Sequence, residues 1–235
     1  RRSKFLIFEI GKTYRLLVHL GMTGKFFFTD NKDNKFKTSF YYFLNYKKDQ
    51  KHDRVIFILN KKQKLIYNDV RKFGFIKIIT PRCINENNHL KFLGPEPLSK
   101  DFNFKYLNEK IRNIKKNVKN LLMDQKLVSG LGNIYVNEIL HLSSISPRKV
   151  SKNLQSNQIK KIVESTKMVL LQAIKLGGSS IRDFKGTSGK QGNYQQNFMV
   201  YDRAGQLCRK IACKGKIKKI YISNRSTFYC LKCQK

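Results

Sequence analysis

Four of the five cysteines fall within residues 208–233 as two close pairs, and no other feature of the chain restricts its local geometry so tightly. Cys208 and Cys213 enclose Arg209-Lys210-Ile211-Ala212, and Cys230-Leu231-Lys232-Cys233 follows after a strand-forming segment. Two pairs spaced this way converge four thiolates on one tetrahedral Zn²⁺, which holds together a module too small to have its own core. Four protein ligands leave no position for a catalytic water, so the expected metal is one structural Zn²⁺. The competing arrangement, two disulfides, needs an oxidising compartment. The opening run Phe5 to Ile10 is cut by Glu9 and Gly11-Lys12, too short for a secretory signal, and no stretch approaches the ~18 apolar residues of a membrane helix. The expected setting is therefore the cytoplasm, with no membrane partner. Cys83, alone, is expected to be a small buried hydrophobe.

Charge narrows the class of partner. Forty-nine Lys and Arg stand against 15 Asp and Glu, a formal net charge of +34. Such self-repulsion is offset by a polyanion whose phosphates release counterions when Lys and Arg replace them, which points to nucleic acid. With 40% apolar and 12% aromatic residues the chain still has the material for a buried core.

Periodicity divides the chain. Short aromatic and β-branched runs at Phe5 to Ile10, Tyr14 to Leu20, Lys25 to Thr29, Phe40 to Tyr46, Val55 to Asn60 and Phe75 to Ile79 predict strands. Their connections, such as Gly11-Lys12 and Lys61 to Lys64, are too short for crossover helices, so an antiparallel sheet or sandwich is expected. Pro81 and Gly94-Pro95-Glu96-Pro97 close that region. The spacing then becomes helical. One helix is predicted over Val118 to Ser129, a break at Gly130-Leu131-Gly132, and a resumption from Asn133 to Leu142; alone, this reads as a helical hairpin or a helix-turn-helix. A longer helix with Ser156 as N-cap buries Ile159, Ile162, Val163, Thr166, Leu170, Ala173 and Ile174, and Gly177-Gly178 stop it. Residues 179–196 lose periodicity. The expected class is α+β: a partial antiparallel β-sandwich over 1–98, a helical domain over 99–202, and a zinc-ribbon hairpin over 203–235. The first Met is Met22, inside an apparent strand pair, so the chain reads as a piece without its amino terminus.

Longer strings carry a resemblance. His19-Leu20-Gly21-Met22-Thr23-Gly24, Asn68-Asp69-Val70-Arg71-Lys72-Phe73-Gly74, Leu93-Gly94-Pro95-Glu96-Pro97-Leu98, Asp124-Gln125-Lys126 through Gly130-Leu131-Gly132-Asn133-Ile134-Tyr135, Gly177-Gly178-Ser179-Ser180, Val200-Tyr201-Asp202-Arg203 and Arg225-Ser226-Thr227-Phe228-Tyr229-Cys230 resemble, in order, the formamidopyrimidine-DNA glycosylase family. The resemblance spans essentially the whole chain. It implies a bacterial, cytosolic base-excision repair enzyme that acts as a monomer on damaged double-stranded DNA. Such an enzyme excises oxidised purines such as 8-oxoguanine and formamidopyrimidines, then cuts the abasic site by β,δ-elimination through a Schiff base. The glycine-broken helices become that family's helix-two-turn-helix.

Residue by residue, the resemblance places Met22, Arg71 and Phe73 as the groups that fill and wedge the gap left by a flipped base, types suited to it as a flexible thioether, a guanidinium and an aromatic plane. It places Lys4, His52, Lys115, Asn133, Tyr201 and Arg225 against phosphates, with Lys72 as a further phosphate grip, and gives Lys4 and Arg225 a proton-donating role in elimination. The segment 179–196, with Ser179, Ser180, Ile181, Arg182, Asp183 and Phe184 at its start, becomes the loop over the flipped base. The family's Pro-Glu opening, whose Pro amine is nucleophile and whose Glu is acid/base, does not precede Arg1. The chain as given is expected to bind damaged DNA poorly and to be inactive until that segment is restored. Val70 and Gln191 stand where Pro is usual, Lys72 where Arg is usual, and Cys208 to Cys213 is wider than the common CxxC. Two alternatives remain: an endonuclease VIII-type glycosylase for oxidised pyrimidines, which the two separate loops carrying Met22 and Arg71-Lys72-Phe73 disfavour, and a non-catalytic zinc-ribbon binder of nucleic acid.

Overall fold

The computed structural model describes residues 1–30, 50–59, 63–80, 87–179 and 192–235. The strand expected at Phe40 to Tyr46, Cys83, the loop residues Ser180, Ile181, Arg182, Asp183 and Phe184, and Gln191 lie outside these. The chain forms two compact units, Arg1–Asn87 with Leu176–Gln195, and Asn88–Lys175 with Gln196–Lys235.

In the first unit six strands form two antiparallel three-stranded sheets. One has the order β1 (Phe5–Ile10), β2 (Tyr14–His19) and β6 (Phe75–Ile79); the other runs β3 (Lys25–Asp30), β5 (Gln63–Asn68) and β4 (Asp53–Ile58). Leu16 and Val18 of β2 pack with Phe26 of β3 and Tyr67 of β5, and Phe8, Phe57 and Ile76 close around them, so the sheets share one core. Phe8 meets Phe26 edge-on at 5.6 Å, a favourable aromatic geometry. The sandwich is thus present, with one strand unforeseen. Lys61 to Lys64 reads as a connection, yet β5 starts at Gln63 and is the central strand of its sheet. Lys64 stays exposed while only Leu65-Ile66-Tyr67 supplies apolar contact, too short a run to stand out beside a lysine cluster.

Register decides what this unit presents. The row Phe5, His19, Phe75 ends the first sheet, and Lys25, Asn68, Asp53 ends the second. Both rows lie at the same end of the sandwich because the β2-β3 and β5-β6 connections join them. Lys4, Met22, His52 and Arg71 to Phe73 are all carried there by the pairing itself.

The second unit holds α1 (Phe104–Ile111), α2 (Val118–Met123), α3 (Asn133–Leu142), α4 (Ser156–Lys175) and the hairpin β7 (Ile217–Ile222) with β8 (Arg225–Cys230). α2 ends at Met123, six residues before the expected stop. Asp124 turns to extended backbone, and the Gln125 side chain then organises the segment, donating to the Met123 and Leu131 carbonyls and accepting from the Gly130 N–H. α4 buries Ile159, Ile162, Val163, Thr166, Val169 and Ala173, while Ile174, expected inside, is exposed. Gln155 rather than Ser156 takes the cap position, its carbonyl accepting from Ile159.

Candidate nucleic-acid interface

At the loop end of the sandwich a buried carboxylate fixes the exposed side chains. Asp69 is 1% exposed and accepts from the Thr23 hydroxyl, the Tyr67 phenol at 3.2 Å, the Gly74 N–H at 2.9 Å and the Arg71 N–H at 3.2 Å. Burial alone would raise its pKa, but these four donors outweigh it and hold the carboxyl below its ordinary value. Burial and the neighbouring Asp69 charge push the Tyr67 phenol up. The loops also touch backbone to backbone: a Cβ on Gly21, whose φ is +63°, would come within 2.7 Å of the Gly74 nitrogen. Locked in this way, the loops aim Met22, Arg71 and Phe73 outward together. Met22 and Phe73 are 56% and 59% exposed. The Arg71 guanidinium sits over the Phe73 ring at 4.5 Å and reaches the Met22 sulfur at 3.3 Å. Lys72, at φ +58°, is the left-handed turn between Arg71 and Phe73 and is exposed.

His52 is held beside this cluster, its carbonyl accepting from the Asp69 N–H at 3.0 Å and its Nδ1 lying 3.4 Å from an Arg54 guanidinium nitrogen. Lys4 is exposed in the tight turn closed by Arg2 and Phe5, with Ser3 left-handed at φ 53°. The neck of the 179–196 segment is pinned: Ser179 bridges Asn193, and Tyr194 donates to the Gly178 carbonyl.

Asp69→Asn is expected to destabilise the chain by about 3 kcal/mol, because an amide puts its NH₂ against donors that the carboxylate satisfied. The sign with pH follows from the depressed pKa. The carboxylate's contribution is present above its unfolded value near 3.8 and is lost as pH falls through the lower folded value. Urea unfolding at pH 7 should show the full gap between wild type and variant, and the gap should shrink on acidification toward pH 2.

The second unit gathers a different set. The Ser226 carbonyl accepts from Asn133 Nδ2 at 3.0 Å and from Lys119 Nζ at 3.1 Å, and Lys119 also donates to the Thr227 hydroxyl at 2.6 Å. Lys119 is fully enclosed; burial, then the Arg225 charge, brings its pKa down to about 8. Arg225 itself is exposed at the start of β8, next to the Ser223-Asn224 turn whose two positive φ values suit a tight hairpin. Asn137 Oδ1 accepts from the Phe228 N–H at 2.7 Å, and the buried Glu138 carboxylate accepts from the N–H groups of Met199, Val200 and Tyr201. Tyr201 is held half-buried between Phe198 and Phe228. Asn133, Tyr201 and Arg225 are thus linked through one hydrogen-bonded and aromatic patch. The Asn133 side-chain donor is engaged by Ser226, so its outward donor is the backbone at the start of α3, where Gly132 supplies no capping side chain. Lys115 is exposed in the segment entering α2. Lys119, Asn137 and Glu138 escaped sequence reasoning. The available signal was the polar stripe Asn133, Asn137, His141 at helical spacing.

Cys208, Cys213, Cys230 and Cys233 carry free thiols whose sulfurs all lie within 4.8 Å of one another. Cys208 and Cys233 are 3.8 Å apart, and Cys213 and Cys230 3.6 Å. A tetrahedral ion with metal–sulfur bonds of about 2.3 Å requires edges of about 3.8 Å, so the four can hold a metal ion. A Cβ on Gly215 would fall 2.6 Å from the Cys230 sulfur, so only glycine admits this approach. Among the described residues, no helix is long and apolar enough to cross a membrane.

Comparison with known proteins identifies the family. Residues 1–76 match the formamidopyrimidine-DNA glycosylase N-terminal domain, and residues 93–185 its H2TH domain. The formamidopyrimidine-DNA glycosylase of Rickettsia bellii is 42% identical over 235 residues, covering all of this chain and 80% of that protein. That of a Bradyrhizobium species is 40% identical over 241 residues, covering all of this chain and 82% of its own length. The structure of Lactococcus lactis Fpg with DNA containing an abasic site superposes with a TM-score of 0.84 at 38% identity, over all of this chain and 80% of that one. A MutM complex with DNA containing carbocyclic 8-oxo-G gives the same TM-score and identity. By sequence, fold and domain order, the chain belongs to the formamidopyrimidine-DNA glycosylase family.

Proposed function

We propose that the protein excises oxidised purines from duplex DNA and cleaves the resulting abasic site, and that the observation carrying this reading is the outward cluster of Met22, Arg71 and Phe73 locked by Asp69. A base buried in a duplex must be extruded before its glycosidic bond can be attacked, and something must occupy the space it leaves. The thioether fills it, the guanidinium donates to the orphaned partner base, and the Phe73 ring wedges against the neighbouring pair. Lys4 and Arg225, both exposed cations, are assigned to protonate the departing phosphate oxygens during elimination. His52, Lys72, Lys115, the start of α3 at Asn133, Tyr201 and Arg225 are assigned to the phosphates. Ser179 opens the loop that covers the extruded base. The metal is one structural Zn²⁺, since the sulfur spacing fits a tetrathiolate and leaves no site for a catalytic water. Membership of a bacterial repair family supports action on DNA in the cytoplasm as a monomer.

Two measurements test this. The full translation product should release 8-oxoguanine from a duplex and nick it far faster than a duplex carrying an oxidised pyrimidine; the reverse preference would overturn the purine reading. The slope of log K against log[salt] for binding to an abasic-analogue duplex should be roughly −3 to −5, at about −0.9 per phosphate neutralised by Lys4, His52, Lys72, Lys115 and Arg225. Arg225→Ala should flatten it by about 1. An unchanged slope would remove Arg225 from the phosphates.

A further inference from the structure

His141 lies on the buried face of α3, fully enclosed, with its Nε2 3.3 Å from the Cys208 sulfur. Its Nδ1 is also buried and, among the described residues, has no hydrogen-bond partner. These two facts place the proton. Were Nδ1 protonated and Nε2 bare, a buried N–H would lack an acceptor while a nitrogen lone pair faced a sulfur lone pair. With the proton on Nε2, a donor faces an acceptor and only a lone pair is left unmatched.

The Cys208 sulfur is buried against α3. Between Cys208 and Cys213 the chain runs out through Ile211, 99% exposed, and Ala212, left-handed at φ 61°. The Lys210 side chain meanwhile reaches the end of α3, donating to the Leu142 carbonyl at 3.2 Å and to the Ser144 hydroxyl.

We propose that His141 is a positioning residue of the metal site, its Nε2–H donating to the Cys208 thiolate from the buried face of α3. The inference rests on the zinc reading of the four cysteines. Four thiolates around Zn²⁺ leave a net charge of two minus, and each N–H donated to sulfur stabilises it; it also fixes the sulfur's direction. Here the donor comes from the DNA-binding helical pair, so the metal is anchored directly to α3.

The test uses the whole chain loaded with Zn²⁺, and with Co²⁺ as a spectroscopic probe. His141→Phe keeps a flat ring and removes the donor; His141→Gln keeps an N–H. His141→Phe should weaken zinc affinity about tenfold in chelator competition and move the sulfur-to-cobalt charge-transfer band to lower energy, as an outer-shell donor's loss does. His141→Gln should recover most of both. Equal behaviour of wild type and His141→Phe overturns the proposal, as does equal weakening by Phe and Gln, which would make His141 a space-filling side chain. Absence of a thiolate-to-cobalt band in the wild-type chain overturns the zinc reading itself.

Discussion

Replacing Cys233 with Ala, or stripping the metal with a chelator, should abolish measurable DNA binding while leaving the helices α1 to α4 largely folded. The hairpin and its two cysteine loops contain few large buried apolar side chains of their own, chiefly Ile217, Phe228 and Tyr229. Structural zinc sites contribute roughly 10 to 16 kcal/mol of binding free energy near neutral pH, which is folding free energy for a module of this size. No core of three large side chains offsets that loss. Arg225, at the base of the hairpin turn, would lose its place, and the Ser226 carbonyl would leave Lys119 and Asn133. Fluorescence anisotropy with an abasic-analogue duplex should register a loss exceeding a hundredfold, while far-ultraviolet circular dichroism changes little. Retention of affinity within twofold would show that the metal module does not take part in binding.

The second large effect is expected at Arg71. Arg71→Ala removes the group assigned here to replace the extruded base's hydrogen bonds, and with it the cation over the Phe73 ring. Excision of 8-oxoguanine by the full translation product should fall about a hundredfold, the equivalent of the few kcal/mol that flipping costs. Cleavage of DNA in which the base is already missing should fall only a few-fold, because no flipping remains to be driven. Single-turnover rates on the two substrates separate these outcomes. Equal losses on both would make Arg71 a phosphate contact.

Much of this was legible in the sequence, for reasons that differ by element. The cysteine quartet was legible because metal coordination requires a fixed spacing, and β1 and β6 because their apolar runs have clean boundaries. β5 was not, since its central position comes from the partners on either side rather than from its own composition. α2 was overextended because Asp124 to Ser129 keeps helical character until the Gln125 side chain claims the local carbonyls. Met22, Arg71 and Phe73 were legible as a string, but that they act as one body was not: this depends on Asp69, whose acceptors collect donors from Thr23, Tyr67, Arg71 and Gly74. Glu138 and Lys119 were invisible for the same reason. A charged residue reads as surface until its partners, tens of residues away, are known.

Those distances along the chain bear on how the protein comes into being. Lys119 waits 107 residues for the Ser226 carbonyl, Asn133 93 residues for the same atom, Asn137 91 residues for the Phe228 N–H, and the Ile145 carbonyl 89 residues for Gln234. On a ribosome, helices α2 and α3 emerge with their polar stripe unmatched and stay so until β8 and Gln234 have followed, at several residues per second. The polar face of α2 and α3 is therefore completed only with the last residues of the chain. On the function proposed above, a nascent or prematurely stopped chain would carry the loops of Met22 and Arg71 to Phe73 without the hairpin that holds Arg225.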